Sequence, residues 1–311
     1  SRDREVVRHG QSGFVLNSEW VYEGKVHQVN CGFETGRSKT FKFDGQEYSK
    51  LNEHIGKLPL ILIAPNDTDV VRGGSEIRRK FFDVMLCQAD AHYLEVLMKY
   101  NHVLKQRNSL LKHYGLSVDR DLLRGYTEQL VLLGNEIYAF RQELALEFES
   151  DFTEYYIRVA GQHEKVGIVY ESHGASDLSM RYRESEENDV SSGRTLIGIH
   201  RDDYHFMLDE RSAKKYGSQG QQKSLIIALK LAQYHFLARR KNRLPLILLD
   251  DIFDKLDIDR IKKLLCILEE DGMGQVFITD ARISRTRELI SEIKKDVSIF
   301  EVKQGKVEKI Q

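Results

Sequence analysis

Three residue types are scarce in this sequence of 311 residues, which has three cysteines, three prolines and one tryptophan. Cys31, Cys87 and Cys266 lie far apart and outside any C-x-x-C spacing. This argues against a disulfide framework or a zinc site and favours a reducing compartment, the cytoplasm. Few prolines together with 41% hydrophobic residues exclude a disordered or proline-rich protein. No apolar run approaches the ~18 residues of a membrane-spanning helix, so we expect no membrane association.

An excess of charge of either sign is also absent, since 47 Lys and Arg stand against 48 Asp and Glu. The balance is uneven along the chain. Residues 72–112 contain eight basic and four acidic side chains, a net charge of +4, whereas residues 121–154 contain two and eight, a net charge of −6. Two interpretations stay open: mutual attraction between packed helix faces, or a stripe that binds DNA.

Hydrophobic periodicity distinguishes the parts of the chain. Alternation in the first sixty residues, with Asp44-Gly45 as a tight turn, predicts a β-meander. Residues 60–64, an apolar run ended by Pro65, predict a strand buried on both faces. Two heptad-like seams separated by Gly115 predict long helices that pair as an antiparallel hairpin. The first seam comprises Leu94, Leu97, Asn101, Leu104, Asn108 and Leu111, and the second Leu123, Tyr126, Leu130, Leu133, Ile137, Phe140 and Leu144.

The rest of the sequence alternates between strand and helix patterns. Residues 164–170 predict a strand and residues 183–193 a polar, acidic loop. Further strands are expected at 195–199, 246–249, 276–279 and 297–302, and helices at 219–240, 258–269 and 284–293. Such alternation is typical of a mostly parallel sheet wrapped by helices. The sequence therefore predicts an α/β lobe from residues 1–65 and 190–311, with an all-helical lobe, residues 66–189, inserted into it.

The clearest chemical pattern is the apolar run Leu246–Leu249 followed by Asp250 and Asp251. Ligands of open α/β sheets bind at the carboxyl ends of strands, where one carboxylate can hold Mg²⁺ and a second can orient or deprotonate water. This is the Walker B pattern of nucleotide hydrolases. Because an apolar strand followed by acids is common, the alternative is that Asp250 caps the next helix and Asp251 is solvated.

A second pattern stands upstream, where Ser218 can cap a long helix and Gly220 lets its backbone approach a ligand. The N–H groups and the dipole of such a helix start favour a phosphate, although the pattern alone is more often just a cap. Asp254 and Asp257 follow the strand and could line the same site. The order of these patterns resembles the signature motif, Walker B and D-loop of ABC-type ATPases.

Four further segments resemble one family within that superfamily, the RecF recombination mediators. The segments are Val71–Asp83, Tyr100–Lys112, Gly198–Asp203, in which Ile199 replaces a usual Pro, and Tyr216–Ser224. RecF proteins are cytoplasmic, SMC-related ATPases that bind DNA, dimerise on ATP and act with RecR and RecO to load recombinase at gaps. The resemblance, which runs from about Arg2 to the C-terminus, implies an ABC-type, P-loop NTPase-like lobe with a mixed sheet. It also implies ATP and Mg²⁺ as cofactors and DNA, RecR- and RecO-like mediators and a second copy of the chain as partners.

The resemblance assigns roles by position. Asp250 would serve Mg²⁺, Asp251 would position or activate water, and Asp257 would belong to the D-loop. The signature residues would meet a γ-phosphate held by the other subunit, and they are Ser218, Gln219, Gly220 and Gln221. Asp254 stands where the family usually has Ser, and Thr279 stands where other ABC proteins have a phosphate-sensing His.

The phosphate loop G-x-x-x-x-G-K-[ST] of such ATPases does not occur in the sequence. Residues 32–40 are similar to it, but Lys does not follow the second Gly and an alternating strand pattern follows. In RecF proteins the loop precedes the point that corresponds to Ser1. We therefore expect a truncation, with weak ATP binding and no turnover by this chain alone.

Arg78, Arg79 and Lys80 are the candidates for contacts to DNA phosphates, with a solvated helix face as the equal alternative. Residues 200–203, His-Arg-Asp-Asp, form either an acid/base cluster or, as we favour, a hydrogen-bond network at a strand end. Two other functions stay open. An SMC-like protein that bridges DNA would need arms longer than about 25–35 residues per helix, and a transporter cassette would be expected to have His in place of Thr279.

Overall fold

The computed structural model describes residues 3–22, 24–161, 164–251, 257–282, 286–288 and 297–310. The chain divides between Leu58 and Pro59 into two units. The strands are β1 (Gly13–Tyr22), β2 (Lys25–Glu34), β3 (Thr40–Phe43), β4 (Gln46–Glu47), β5 (Leu60–Ile63), β6 (Val166–Glu171), β7 (Asp203–Leu208), β8 (Arg211–Ser212), β9 (Leu246–Asp250), β10 (Val276–Thr279), β11 (Phe300–Lys303) and β12 (Lys306–Lys309). The helices are α1 (Asp3–Val6), α2 (Asp69–Arg72), α3 (Ser75–Ala89), α4 (Ala91–Tyr114), α5 (Arg120–Ala160), α6 (Leu178–Ser192), α7 (Ala213–Tyr216), α8 (Gln219–Lys241) and α9 (Ile258–Glu270).

The first unit contains four consecutive strands that pair antiparallel in the order β1-β2-β3-β4. This confirms the predicted meander. Asp44 and Gly45 join β3 to β4 with φ values of 50° and 79°, the left-handed conformation that a tight hairpin turn needs at both positions. Val29 and Cys31 on β2 are buried, because alternate residues of a strand share one face.

The second unit contains a parallel sheet of β10, β9 and β5, in that order. Thr279 at the end of β10 lies beside Asp250 at the end of β9, so the carboxyl ends of these strands meet at one edge. On β5, Ile61 and Ile63 are buried, whereas Leu62 between them is 46% exposed. The prediction that this strand is buried on both faces is therefore wrong for the face that carries Leu62.

The prediction of a parallel sheet is confirmed for β5, β9 and β10, but the other described pairings of the second unit are antiparallel. β7 pairs antiparallel with both β6 and β8, and β11 pairs antiparallel with β12. The strand predicted at 195–199 is also wrong, because the strand begins at Asp203, where Tyr204, Phe206 and Leu208 alternate as buried residues. The fold is α/β with parallel and antiparallel sheets and a helical region. The helix predicted at 284–293 lies mostly outside the described residues.

Helices α4 and α5 form the predicted antiparallel hairpin. His92 at the start of α4 contacts Glu136 of α5, and Arg107 near its end contacts Thr127. The seam on α5 is confirmed, since Leu123, Leu130, Ile137 and Leu144 are buried. On α4 the predicted Leu111 is buried, but the other predicted positions each lie one residue after a buried one, and the buried residues are Tyr93, Val96, Tyr100, Val103 and Arg107. The two tyrosines and the arginine made this pattern hard to recognise in the sequence.

The predicted acidic loop at 183–193 is wrong, because most of it belongs to helix α6. Asp177 caps this helix by accepting a hydrogen bond from the backbone N of Met180. The inward face of α6 carries Tyr182, Ser185 and Asp189, all buried. These residues follow helical spacing, but two of them are polar, so the hydrophobic pattern of the helix is weak.

The arms of the hairpin contain 24 and 41 residues, against the 25–35 expected for each. Among the described residues, no helix is both long enough and hydrophobic enough to cross a bilayer.

The grouping of residues 1–65 with 190–311 in one lobe, separate from a helical lobe at 66–189, stays a prediction.

Candidate functional site

The carboxyl edge of the parallel sheet holds the first candidate cluster. Asp250 is exposed, and its Oδ1 accepts a hydrogen bond from the hydroxyl of Thr279 at 2.6 Å. The backbone N of Asp251 donates to the carbonyl oxygen and the hydroxyl of Thr279, both at 3.2 Å, and Asp251 has a φ of 47°. Two neighbouring strands thus bring carboxylate and hydroxyl oxygens to one edge. Such hard oxygen donors are the kind that Mg²⁺ prefers.

The alternative reading of Asp250 as a helix cap is wrong for the described residues. The helix that follows, α9, is capped by Asp257, whose side chain accepts from the backbone N of Arg260 at 3.0 Å. Asp250 therefore does not cap α9. Asp254 lies outside the described residues, so its expected place beside the site is not tested.

The start of α8 is the second candidate cluster. Ser218 is its N-cap and accepts from the backbone N of Gln221 at 3.2 Å, while the Gln221 side chain accepts from the backbone N of Ser218 at 2.6 Å. This reciprocal pair is a capping box. Ser218 and Gln219 are exposed, so the positive end of the helix dipole faces solvent and is open to an anion.

Neighbouring residues hold this helix start in place. Gln222 is buried and donates to the carbonyl oxygens of Ala213 and Gly217, both at 3.1 Å, and it accepts from Nε of Arg72 at 2.5 Å. Gln221 also donates to Glu164 at 2.5 Å. The positions of Gln222 and Arg72 were missed in the sequence, because their contact spans 150 residues.

Asp257 lies close to this helix start through Arg260. The guanidinium of Arg260 pairs with the Asp257 carboxylate and donates from Nε to the hydroxyl of Ser224 on α8 at 2.8 Å. Burial alone would raise the pKa of Asp257, but its hydrogen bonds with Arg260 and the charge of that residue lower it below the ordinary value. Asp257 is therefore a carboxylate at neutral pH. The structure brings it together with Gly220, while Asp250 and Asp251 form the separate cluster with Thr279.

Residues 200–203 belong to a buried hydrogen-bond network, as favoured over an acid/base cluster. Asp202 accepts from Nη1 of Arg141 at 2.8 Å, from Tyr170 at 2.6 Å and from Ser172 at 2.7 Å. Burial lowers the pKa of His200 to about 4, so its ring is neutral at physiological pH. Both carboxylate oxygens of Asp202 therefore accept hydrogen bonds that tie neighbouring elements together.

The three candidate DNA contacts lie in different environments. Arg78 is 6% exposed and forms two hydrogen bonds with the carboxylate of Asp203, at 2.7 and 2.8 Å. Arg79 is half-buried and donates to the backbone oxygen of Asp202 at 2.5 Å. Lys80 is exposed. Because Arg78 is buried and paired with Asp203, it is neither available to DNA nor part of a solvated helix face. For Arg79 and Lys80 the contact with DNA stays a prediction.

In the Lys-Gln-Arg-Asn stretch, residues 105–108, Arg107 and Asn108 turn inward, whereas Lys105 and Gln106 are exposed. Arg107 is fully buried and donates from Nη1 to Asp189 at 2.7 Å and to the hydroxyl of Thr195 at 2.8 Å. Asn108 accepts from the backbone N and the hydroxyl of Thr195, both at 2.7 Å. The side chains of Arg107 and Asn108 therefore tie α4 to α6 and to the segment that follows α6.

No family model matches the chain. It is 39% identical over 307 residues to the DNA replication and repair protein RecF of Parabacteroides distasonis, which covers 98% of the chain and 84% of the relative. It is 40% identical over 297 residues to the protein of the same name from Flavobacterium johnsoniae, covering 94% and 83%.

Solved structures show the same fold. The structure of the recombination mediator protein RecF with ATPrS, in the RecFOR pathway, matches with a TM-score of 0.88 at 23% identity and covers 100% of this chain and 84% of that chain. The corresponding RecF structure with ATP matches with a TM-score of 0.85 at 24% identity, with the same coverage. The chain therefore has the fold of these RecF structures. With about 40% identity over nearly its whole length, the chain belongs to the RecF family of DNA replication and repair proteins.

Proposed function

We propose that the protein binds DNA without sequence preference under the control of ATP, and that it helps to load recombinase at gaps together with RecO- and RecR-like mediators in the cytoplasm. This chain by itself, whose sequence contains no phosphate loop, would bind ATP weakly and would not hydrolyse it. The observation that supports this proposal most is the capped start of α8, residues 218–221, where Ser218 and Gln219 are exposed. A helix start of this kind is a ready anion site. The solved relatives carry ATP and ATPrS in their names, which makes a nucleotide phosphate the anion to expect.

The two clusters would have different roles toward the nucleotide. Ser218, Gln219, Gly220 and Gln221 would face the terminal phosphate through backbone N–H groups and the helix dipole. Asp250 would hold Mg²⁺, which would neutralise phosphate charge when bound. Asp251 would accept a hydrogen bond from the attacking water, and the contacts of its backbone with Thr279 hold it in place for that task.

A second copy of the chain accounts for the exposure of the α8 start. Within one chain, Gln221 contacts Glu164, Arg260 joins Asp257 to Ser224 on α8, and Asp250 contacts Thr279. If the phosphate that meets the signature residues is held by another copy, ATP would join two chains face to face. DNA binding and release would then follow the nucleotide state.

Substitution of Ser218 tests this proposal in the complete gene product. Ser218→Arg would remove the cap and place a bulky side chain at the expected contact, so ATP-driven dimerisation and hydrolysis should be lost while monomers still bind nucleotide. Ser191→Arg, at an exposed position of α6, is the matched control. Sedimentation with and without ATP, and retention of DNA at each nucleotide state, are the measurements. Wild-type protein that neither dimerises nor changes its DNA affinity with ATP would overturn the proposal.

A further inference from the structure

Arg260, in the first turn of α9, connects two parts of the chain that are distant in sequence. Its Nε donates to the hydroxyl of Ser224 at 2.8 Å, and its Nη1 donates to the carboxylate of Asp257. Ser224 lies inside α8 and is fully buried. One guanidinium therefore holds the cap of α9 and the second turn of α8 at a fixed separation.

Gly220 explains why the guanidinium fits there. A Cβ atom at this position would lie 2.9 Å from Nη2 of Arg260 and 3.4 Å from its Cζ. The guanidinium thus lies against the backbone of the first turn of α8, and a side chain at position 220 would displace it. Gly220 therefore contacts the Arg260 guanidinium within its own chain, in addition to the phosphate that we propose it meets.

We propose that Arg260 is a positioning residue that couples the D-loop carboxylate of Asp257 to the signature segment at the start of α8. When nucleotide binding moves one of these two elements into the dimer interface, the guanidinium that is bound to both moves the other element as well. The inference rests on the proposed function and adds a residue that the family resemblance did not assign.

The chemistry of arginine is specific to this task. Its rigid fork presents several donors in one plane, so that separate groups can be bound at a set distance, whereas a lysine ammonium is a point charge on a flexible stem. Hydrogen bonds to charged groups each contribute more than neutral ones. Lysine at position 260 would keep the charge near Asp257 but could not also reach Ser224 and lie flat against Gly220.

The test uses the complete gene product with Arg260→Lys, Arg260→Ala and Ser224→Ala. Arg240→Ala is the matched control, because Arg240 forms ion pairs with Glu143 and Glu147 at the other end of α8. The measurements are nucleotide affinity of the monomer, ATP-driven dimerisation by sedimentation, and kcat and KM for ATP hydrolysis. Thermal unfolding reports whether each variant is folded.

We expect both Arg260 variants to weaken ATP-driven dimerisation and to lower kcat by about tenfold or more, with monomer nucleotide affinity within about twofold of wild type. Ser224→Ala should show a smaller loss, and its effect should not add to that of Arg260→Ala, because both remove the same contact. The control should behave as wild type.

Normal dimerisation and kcat in Arg260→Lys and in Ser224→Ala would overturn the coupling, even if Arg260→Ala failed to fold. A fall in monomer nucleotide affinity that matches the fall in kcat would also overturn it, because it would place Arg260 in direct ligand binding. Wild-type protein without any ATP-driven dimer would remove the proposed function and this inference together. A normal wild type with unaffected variants would remove the inference alone.

Discussion

Replacing Asp189 by alanine would leave the guanidinium of Arg107 buried without its counter-ion. Both side chains are 0% exposed, and the Nη1 to carboxylate distance is 2.7 Å. Asp189 also accepts from Ser185 at 3.0 Å and from the backbone N of Leu196 at 2.9 Å. Nη2 of Arg107 is already without a hydrogen-bond partner among the described residues. Removal of one member of a buried ion pair costs about 3–5 kcal/mol, and we expect a loss of that size in the free energy of unfolding.

Urea unfolding followed by circular dichroism would measure this loss from the shift of the midpoint at constant slope. Glu187→Ala is the control, because Glu187 pairs with Arg120 on the surface at 3.1 Å with 77% of its side chain exposed, and such pairs contribute at most about 1 kcal/mol. The double variant Arg107→Met, Asp189→Leu should recover part of the stability, since it removes both charges but leaves Ser185 and the backbone N of Leu196 without their acceptor. Equal losses for Asp189→Ala and Glu187→Ala would refute the reasoning.

Three further outcomes can be measured. Lys80→Glu should weaken DNA binding and make its salt dependence shallower by about one phosphate contact, and an unchanged slope in a binding titration would exclude Lys80 from the interface. Because burial lowers the pKa of His200 to about 4, the unfolded chain binds a proton there first as the pH falls. Wild type should therefore lose about 2 kcal/mol more stability than His200→Gln between about pH 7 and pH 5, and equal losses in the urea titration would contradict this. Burial raises the pKa of the Cys87 thiol to about 12 and Cys266 is exposed, so a thiol reagent should modify Cys266 first and Cys87 only on unfolding. Mass spectrometry of the modified peptides checks the order.

Local patterns were enough to predict the elements of the candidate site. The buried strand before Asp250 and the cap at Ser218 depend on a few neighbouring residues, and both are confirmed as a strand end and a helix start. The Asp44-Gly45 turn is confirmed for the same reason. Each of these features is specified within about one turn or one strand of the chain.

Features that depend on distant partners could not be predicted in this way. Asp189 looks solvated in the sequence, but in the structure it is buried against Arg107, which lies 82 residues away. Arg78 looks like a surface cation until it meets Asp203, across 125 residues. Burial of a charge depends on its counter-ion, and the hydrophobic pattern of one segment holds no information about where that counter-ion lies.

The buried charges limit how the protein can be divided in the laboratory. The α4–α5 hairpin resembles a coiled coil that could be expressed on its own. However, Arg107 pairs with a carboxylate on α6, and Arg141 pairs with Asp83 and Asp202, all outside the hairpin. A fragment made of the hairpin alone would lack the carboxylates that pair with both guanidiniums and would expose the apolar surface that α3, α6 and β6 cover. Any expression fragment meant to study this region should therefore extend from the start of α3 through β7, and shorter pieces should be recovered as aggregates.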